Sequence, residues 1–113
     1  MDFTSTEYKR CDVIKAKGRI DSYTAPQMEE ALNKVMEKGR YNIVFDTSDI
    51  TFVSSAGWWA LIRVQKTCKG KPLIPGEVVL AKLDPKIQES MDLVGISNYF
   101  KVFDDVIGAV AHF

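Results

Sequence analysis

Two periods of apolar residues alternate along the chain. Short runs with apolar side chains at every second position read as strands, and longer stretches with three- and four-residue spacing read as helices. Phe3 to Thr6 reads as a short edge strand. Asp12 to Lys17 reads as a second strand, with Val13, Lys15 and Lys17 alternating against Ile14 and Ala16, and Gly18 ends it. Thr24 to Lys38 is predicted to be a helix. Thr24 suits an N-cap, Gln27 three residues on completes a capping box, and Pro26 fits the first turn, where its missing N–H costs nothing. Met28, Leu32, Val35 and Met36 share one face of this helix and should meet the core, and Gly39 stops it.

Tyr41 to Phe45 is a β-branched and aromatic run that predicts a central strand, and residues 46–53 read as a connection. Ala56 to Lys69 predicts a second helix closed by Gly70, and residues 71–76, with two prolines and a glycine, a loop. Glu77 to Ala81 is another buried strand. Asp84 can cap a third helix, with Pro85 at its first position, that runs to about Val94 before Gly95. Tyr99 to Phe103 predicts a last short strand, and Asp104 a cap for a helix over Asp105 to His112. Strands alternating with helices imply an α/β fold with a largely parallel sheet. The first two strands lie too close for a crossover and should pair antiparallel, so the sheet is mixed.

A length of 113 residues fits one domain, and 46% hydrophobic with 27% charged residues fits a folded one. The formal net charge is +0, from 15 basic and 15 acidic residues. The longest basic cluster, Lys66 to Lys71, is interrupted and reads as a lysine-rich helix end. Without a basic footprint to collect phosphates, nucleic-acid binding is not expected. Cys11 and Cys68 have neither CxxC spacing nor a disulfide framework, and both lie in apolar-patterned segments. Buried free thiols suit a reducing compartment. The first residues do not resemble a signal peptide, and no 18-residue apolar run occurs, so a cytoplasmic protein without direct membrane insertion is expected.

Catalytic chemistry is poorly supplied. The one histidine, His112, lies near the end of the sequence and reads as a solvated side chain. Val53-Ser54-Ser55-Ala56-Gly57 partly matches a nucleophile elbow, but Val53 stands where that motif needs glycine, and no internal histidine can serve as base. No metal-ligand cluster or glycine-rich phosphate loop is apparent, and Asp46 and Asp49 read as turn or cap residues rather than a magnesium pair. The expectation is a protein that is not an enzyme, with no cofactor and no metal.

The helix beginning near Ala56 carries more information. Ser54 and Ser55 place two hydroxyls at its start, an ordinary capping arrangement. A helix N-terminus also offers free N–H donors and the positive end of the dipole, so it accepts a phosphate without melting. At 100° per residue, Trp58, Leu61, Ile62, Gln65 and Cys68 share a core arc, extended by Ala60 and Val64. Arg63, Lys66 and Thr67 lie opposite, and Trp59 falls among them. Trp59 is then a binding hot spot, or it lies under a loop or stacks locally on Arg63.

Three stretches resemble a known family. Gly18-Arg19-Ile20-Asp21-Ser22-Tyr23-Thr24-Ala25 is similar to an early stretch of STAS domains, which include bacterial anti-sigma factor antagonists. Ile43 to Gly57 resembles the family's central motif, a strand ending in Asp-Leu-Ser that steps into Asp-Ser-Ser/Ala-Gly. Asp92-Leu93-Val94-Gly95-Ile96 and Phe100-Lys101-Val102-Phe103-Asp104 resemble its ending. The resemblance spans essentially the whole chain. It implies a single STAS domain over residues 1–113, with a mixed four- to five-stranded sheet and helices packed mainly on one side.

The resemblance also implies a partner-switching protein, a monomer or weak dimer. Such a protein binds a serine kinase (an anti-sigma factor) of the histidine-kinase-like ATPase superfamily. The kinase phosphorylates the motif serine and so ends the interaction, and a PP2C-type phosphatase resets it. Matched residue by residue, the phosphoacceptor is Ser55, with Ser54 the second candidate, and Asp21 lies beside it. Asp21, Ser54, Ser55, Gly57, Trp59 and Arg63 form the expected partner-binding set. Two departures stand out: Ser54 replaces the usual acid before the acceptor, and Trp58-Trp59 replaces the usual Leu-Gly. They leave open an alternative, a non-phosphorylated STAS subunit of a signalling complex or membrane transporter.

Overall fold

The computed structural model describes residues 1–113. Strands β1 (Asp2–Glu7), β2 (Asp12–Ile20), β3 (Asn42–Val53), β4 (Glu77–Ala81) and β5 (Val102–Phe103) form one sheet in their chain order. β1 and β2 pair antiparallel, as a four-residue connection requires, and every later neighbour is parallel. Helices α1 (Ala25–Glu37), α2 (Ser55–Lys69) and α3 (Pro85–Val94) supply the crossovers, and α4 (Val106–Ala111) follows β5.

Alternation along the central strands sorts the core into two layers. Ile43, Phe45, Val78 and Leu80 face Met28, Leu32, Leu61, Ile62, Ile87 and Met91 from the crossover helices. Val44, Val79 and Ala81 face the other way, onto Ala109 of α4 with Cys11 and Val13. Burial on both faces explains why β3 and β4 read as unbroken apolar runs. Three helices on one face and a short one on the other is the mixed α/β arrangement that the sequence implies. The expected buried faces of α1 and α2, both buried thiols, the Pro85 start and the left-handed Gly95 at the end of α3 are all present.

Several boundaries differ from expectation. β2 does not stop at Gly18 but runs on to Ile20, with Gly18 at φ +121° and shifts of register on either side of it. A glycine in a bulge continues a strand that an L-residue there would break. β3 likewise extends through the expected connection to Val53. Its polar residues are satisfied in place: Thr47 donates to the Ala81 carbonyl at 2.9 Å, Asp46 accepts the Ser48 amide at 3.0 Å, and Asp49 pairs with Lys15 at 3.3 Å. The last strand shortens to two residues because Ser97–Tyr99 forms a 3-10 turn, and Asp105 rather than Asp104 caps α4 by accepting the Gly108 amide at 2.7 Å. His112 is exposed, as expected, but tethered: its Nε2 lies 2.8 Å from Glu77 Oε1, and its ring packs beside Phe103 and Phe113.

Candidate functional site

β2 and β3 end side by side, with Ile20 paired to Val53, and this shared end carries the central motif. The Ser54 amide donates to the Ile20 carbonyl at 2.8 Å, so the residue leaving β3 is pinned to the end of β2. Ser54 is the N-cap of α2: its backbone is extended and its hydroxyl accepts the Gly57 amide at 3.2 Å. The two serines therefore differ in role. The Ser54 hydroxyl is committed to the cap, while Ser55 is the first helical residue and is exposed.

The Ser55 and Ala56 amides have no protein acceptor, and the first turn of α2 contains no acidic residue. The Ser55 hydroxyl thus sits at a positive helix end with two free donors and no competing carboxylate on its own turn. An anion attached there is favoured, whereas a carboxylate at residue 54 would already occupy part of that field.

Gly57, also in the expected partner-binding set, lies beneath this surface rather than on it. It is buried, and a Cβ there would lie 2.6 Å from Ile20 Cγ2, 3.0 Å from Val53 Cγ1 and 3.2 Å from the Ile20 carbonyl oxygen. Only glycine lets the first turn of α2 press onto the ends of both strands.

Asp21 follows Ile20 directly and organises the turn into α1. Its carboxylate accepts the Tyr23 and Thr24 amides at 2.9 and 3.1 Å. The Thr24 amide, helped by the Tyr23 amide, the Thr24 hydroxyl and the charge of Arg19, holds the Asp21 carboxyl below its usual range. The Thr24 hydroxyl donates to the Arg19 carbonyl at 2.7 Å and accepts the Asp21 amide at 3.0 Å. It makes no cap bond to the helix, so the expected capping box with Gln27 does not form. The turn chemistry comes from Asp21 instead.

On α2, Trp58 is fully buried and Trp59 is 47% exposed, as the helical wheel predicts. Trp59 does not stack on Arg63. The Arg63 guanidinium grips the carboxylate of Glu29 on α1, while the cation–ring contacts are Arg19 over Phe52 and Lys71 over Tyr41. Of the expected set, Asp21, Ser54 and Ser55 lie on the strand ends and the first turn of α2, Trp59 one turn further, and Arg63 another turn along at the seam with α1.

Three contributors escaped sequence reasoning. Tyr23 is 87% exposed in the Asp21 turn, and Phe52, beneath Arg19, is 39% exposed next to the Ser54 step. An aromatic residue inside a turn signature was the available signal for Tyr23. Ser90 of α3 accepts the Trp58 indole N–H at 3.0 Å and donates to the Val53 carbonyl at 3.0 Å. A buried indole needs an acceptor, but no local pattern says which residue supplies it. No group of three or more His, Cys, Asp or Glu side chains is arranged to hold a metal ion.

Comparison with known proteins bears on the family and the fold. The STAS domain family model matches residues 2–109. A Bordetella bronchiseptica protein named as an anti-sigma factor antagonist, BtrV, is 30% identical over 97 residues, which cover 86% of this chain and 81% of the relative. The crystal structure of an anti-sigma factor antagonist from Mycobacterium paratuberculosis superposes with a TM-score of 0.84 at 21% identity, covering 98% of this chain and 92% of that one. The Bacillus cell fate determinant SpoIIAA, solved in its phosphorylated form, superposes with a TM-score of 0.71 at 14% identity, covering 98% of both chains. No helix is long and apolar enough to cross a membrane.

Proposed function

Because this chain belongs to the STAS domain family, we propose that it is an anti-sigma factor antagonist-type switch, one STAS domain that binds a serine kinase and is released when that kinase phosphorylates Ser55. The observation that carries the reading is the division of labour at the start of α2: Ser54 is consumed as the cap, and Ser55 is exposed above two unsatisfied amides. The BtrV relative carries the name of an anti-sigma factor antagonist, and a protein of the same fold, SpoIIAA, exists in a phosphorylated form.

The protein is the substrate, not the catalyst. The kinase brings ATP and Mg²⁺, the Ser55 Oγ takes the γ-phosphoryl group and loses its proton, and ADP leaves. The new phosphate carries about −1.5 to −2 charge and can accept from the free amides at the helix start, so the fold persists while the docking surface changes sign. The surface around it consists of Asp21, Tyr23, Phe52, Trp59 and Arg63. A PP2C-type phosphatase then resets the switch, and the cycle runs in the cytoplasm.

The test is incubation with the cognate kinase and Mg-ATP, followed by mapping of the modified residue. Phosphate is expected on Ser55, with none on Ser55→Ala and retained labelling of Ser54→Ala. Ser55→Asp is expected to weaken kinase binding at least tenfold. The absence of phosphate from both serines sinks the proposal. If Ser55→Ala and Ser55→Asp also bind partners like wild type, the protein is a non-phosphorylated assembly subunit.

A further inference from the structure

The other end of the sheet carries a second concave surface. The N-terminal ends of β2 and β3 and the loop of residues 71–76 enclose a cavity of about 360 Å³, separated from Ser55 by the length of β3. Its wall contains Arg10, Tyr41, Asn42, Lys71, Leu73 and Ile74, and no carboxylate lines it.

The cations of this wall are unequally matched. Arg40 also lines the cavity but is spent: it pairs with Asp12 and Glu7 and donates to the Tyr8 and Cys11 carbonyls. Arg10 reaches only the Phe113 carbonyl oxygen, at 3.4 Å. The Lys71 ammonium has no carboxylate partner and rests 4.6 Å from the centre of the Tyr41 ring. In a chain of net charge +0, this hollow therefore presents two cations that pair with no aspartate or glutamate side chain. Beside them, Leu73 and Ile74 are 93% and 78% exposed.

The loop is held rather than loose. Pro72 and Pro75 restrict it, the Gly76 amide donates to the Cys68 carbonyl at 2.8 Å, and the Glu77 amide donates to the Tyr41 carbonyl at 2.9 Å. Gly76 packs so closely that a Cβ would lie 2.0 Å from the Tyr41 carbonyl oxygen. A loop anchored at its ends and restricted by two prolines lowers the ordering cost of a ligand.

We propose that this hollow is a second docking site, for an acidic peptide segment of a partner protein anchored by one bulky apolar side chain. The apolar side chain fills the hollow against Tyr41, Pro72, Leu73 and Ile74, and flanking carboxylates pair with Arg10 and Lys71. A small organic anion would satisfy the cations yet leave Leu73 and Ile74 in water, whereas a peptide continues over them. A flat anionic bilayer meets the loop tip but leaves the hollow unfilled. Because the site lies away from Ser55, its occupancy does not depend on the state of that residue. A partner bound here stays tethered while the other end of the sheet engages or releases, which raises its effective concentration.

The experiment titrates the ¹⁵N-labelled full chain with the synthetic peptide acetyl-Glu-Asp-Leu-Phe-Asp-Glu-amide. Amide shifts are expected at Arg10, Tyr41, Asn42, Lys71 and Leu73, with affinity falling severalfold as salt rises from about 50 to 300 mM. Arg10→Glu with Lys71→Glu is expected to weaken binding at least tenfold, and Leu73→Ser with Ile74→Ser to do the same without altering the charge. The peptide with lysine in place of each acid should not bind. Ser55→Asp should leave the affinity unchanged, so this result stands or falls separately from phosphorylation. The proposal is overturned if the acidic peptide shifts none of these amides up to about 5 mM, a very weak affinity limit. It is equally overturned if the lysine peptide binds as well, or if phosphatidylserine vesicles shift these amides and the peptide does not.

Discussion

Trp58 and Ser90 are joined by a 3.0 Å hydrogen bond from indole to hydroxyl, and the same hydroxyl donates to the Val53 carbonyl at 3.0 Å. One side chain of α3 thus ties the first turn of α2 to the end of β3, immediately before the two serines. Ser90→Ala leaves a buried indole donor and a strand-end carbonyl unpaired, which costs about 1–3 kcal/mol. Urea denaturation of Ser90→Ala should show that loss as a lower midpoint with an unchanged slope. Trp58→Phe removes the donor while keeping a ring in the core, so the double variant should lose less than the sum of the singles. Strict additivity of the two would mean that the indole and hydroxyl are not coupled.

Gly57→Ala tests the packing beneath Ser55. The added methyl meets Ile20 Cγ2 at 2.6 Å and the Ile20 carbonyl at 3.2 Å, and overpacking of this kind costs about 1–3 kcal/mol. Ile20→Ala removes the nearest atom, so adding Gly57→Ala to that background should cost less than it does in wild type. Thermal melts of the four proteins decide it. An equal penalty in both backgrounds would move the strain from the Ile20 side chain to the Val53 side chain and the Ile20 carbonyl.

Much of the fold was legible because the helices keep their period. The core residues of α1 and the Trp58/Trp59 split on α2 follow from spacing alone, since each helix buries a single face. The length of β3 was not legible. Asp46, Thr47, Ser48 and Asp49 look like turn formers, and they stay in a strand because Asp46 and Asp49 pair with the irregular stretch of β2 and Asp46 and Thr47 are held to Ala81 of β4. At the site, the hydroxyl pair was visible, but its division of roles depends on which serine leaves β3 first with its amide on Ile20. Gly57 was visible as a motif letter, whereas its cause is a contact with Ile20, 37 positions earlier in the chain by residue number. Ser90 had no local signal at all.

Both thiols should resist modification in the folded protein. Burial pushes the Cys68 thiol up from 9.0 to about 11, opposed only by Lys71, and raises Cys11 with the help of Asp12. At pH 8 neither is an appreciable thiolate, and neither is reachable. Ellman's reagent is expected to react slowly with native protein and to titrate two thiols in denaturant. The raised value also sets a direction for stability. Between pH 9.0 and about 11 the unfolded Cys68 ionises and the folded one does not, so stability present below pH 9.0 should decline across that interval. A Cys68→Ala variant should lose that part of the alkaline decline.

Trp59 is the residue on which docking and folding predictions separate. Its side chain is 47% exposed, makes no ring–cation contact with Arg63, and stands one turn along α2 from Ser55. Trp59→Ala therefore should change unfolding free energy by less than about 1 kcal/mol, because alanine is a better helix former and little packing is lost. Exposed tryptophans that become buried on association carry a large share of binding energy. If the kinase covers this surface, Trp59→Ala should weaken its binding at least tenfold, equivalent to about 1.4 kcal/mol, while Lys66→Ala on the exposed face of the next two turns changes it little. Isothermal titration with the kinase measures the first effect and chemical denaturation the second. A wild-type affinity in Trp59→Ala would remove the tryptophan from the docking surface and confine recognition to the Asp21 turn and the Ser55 helix start.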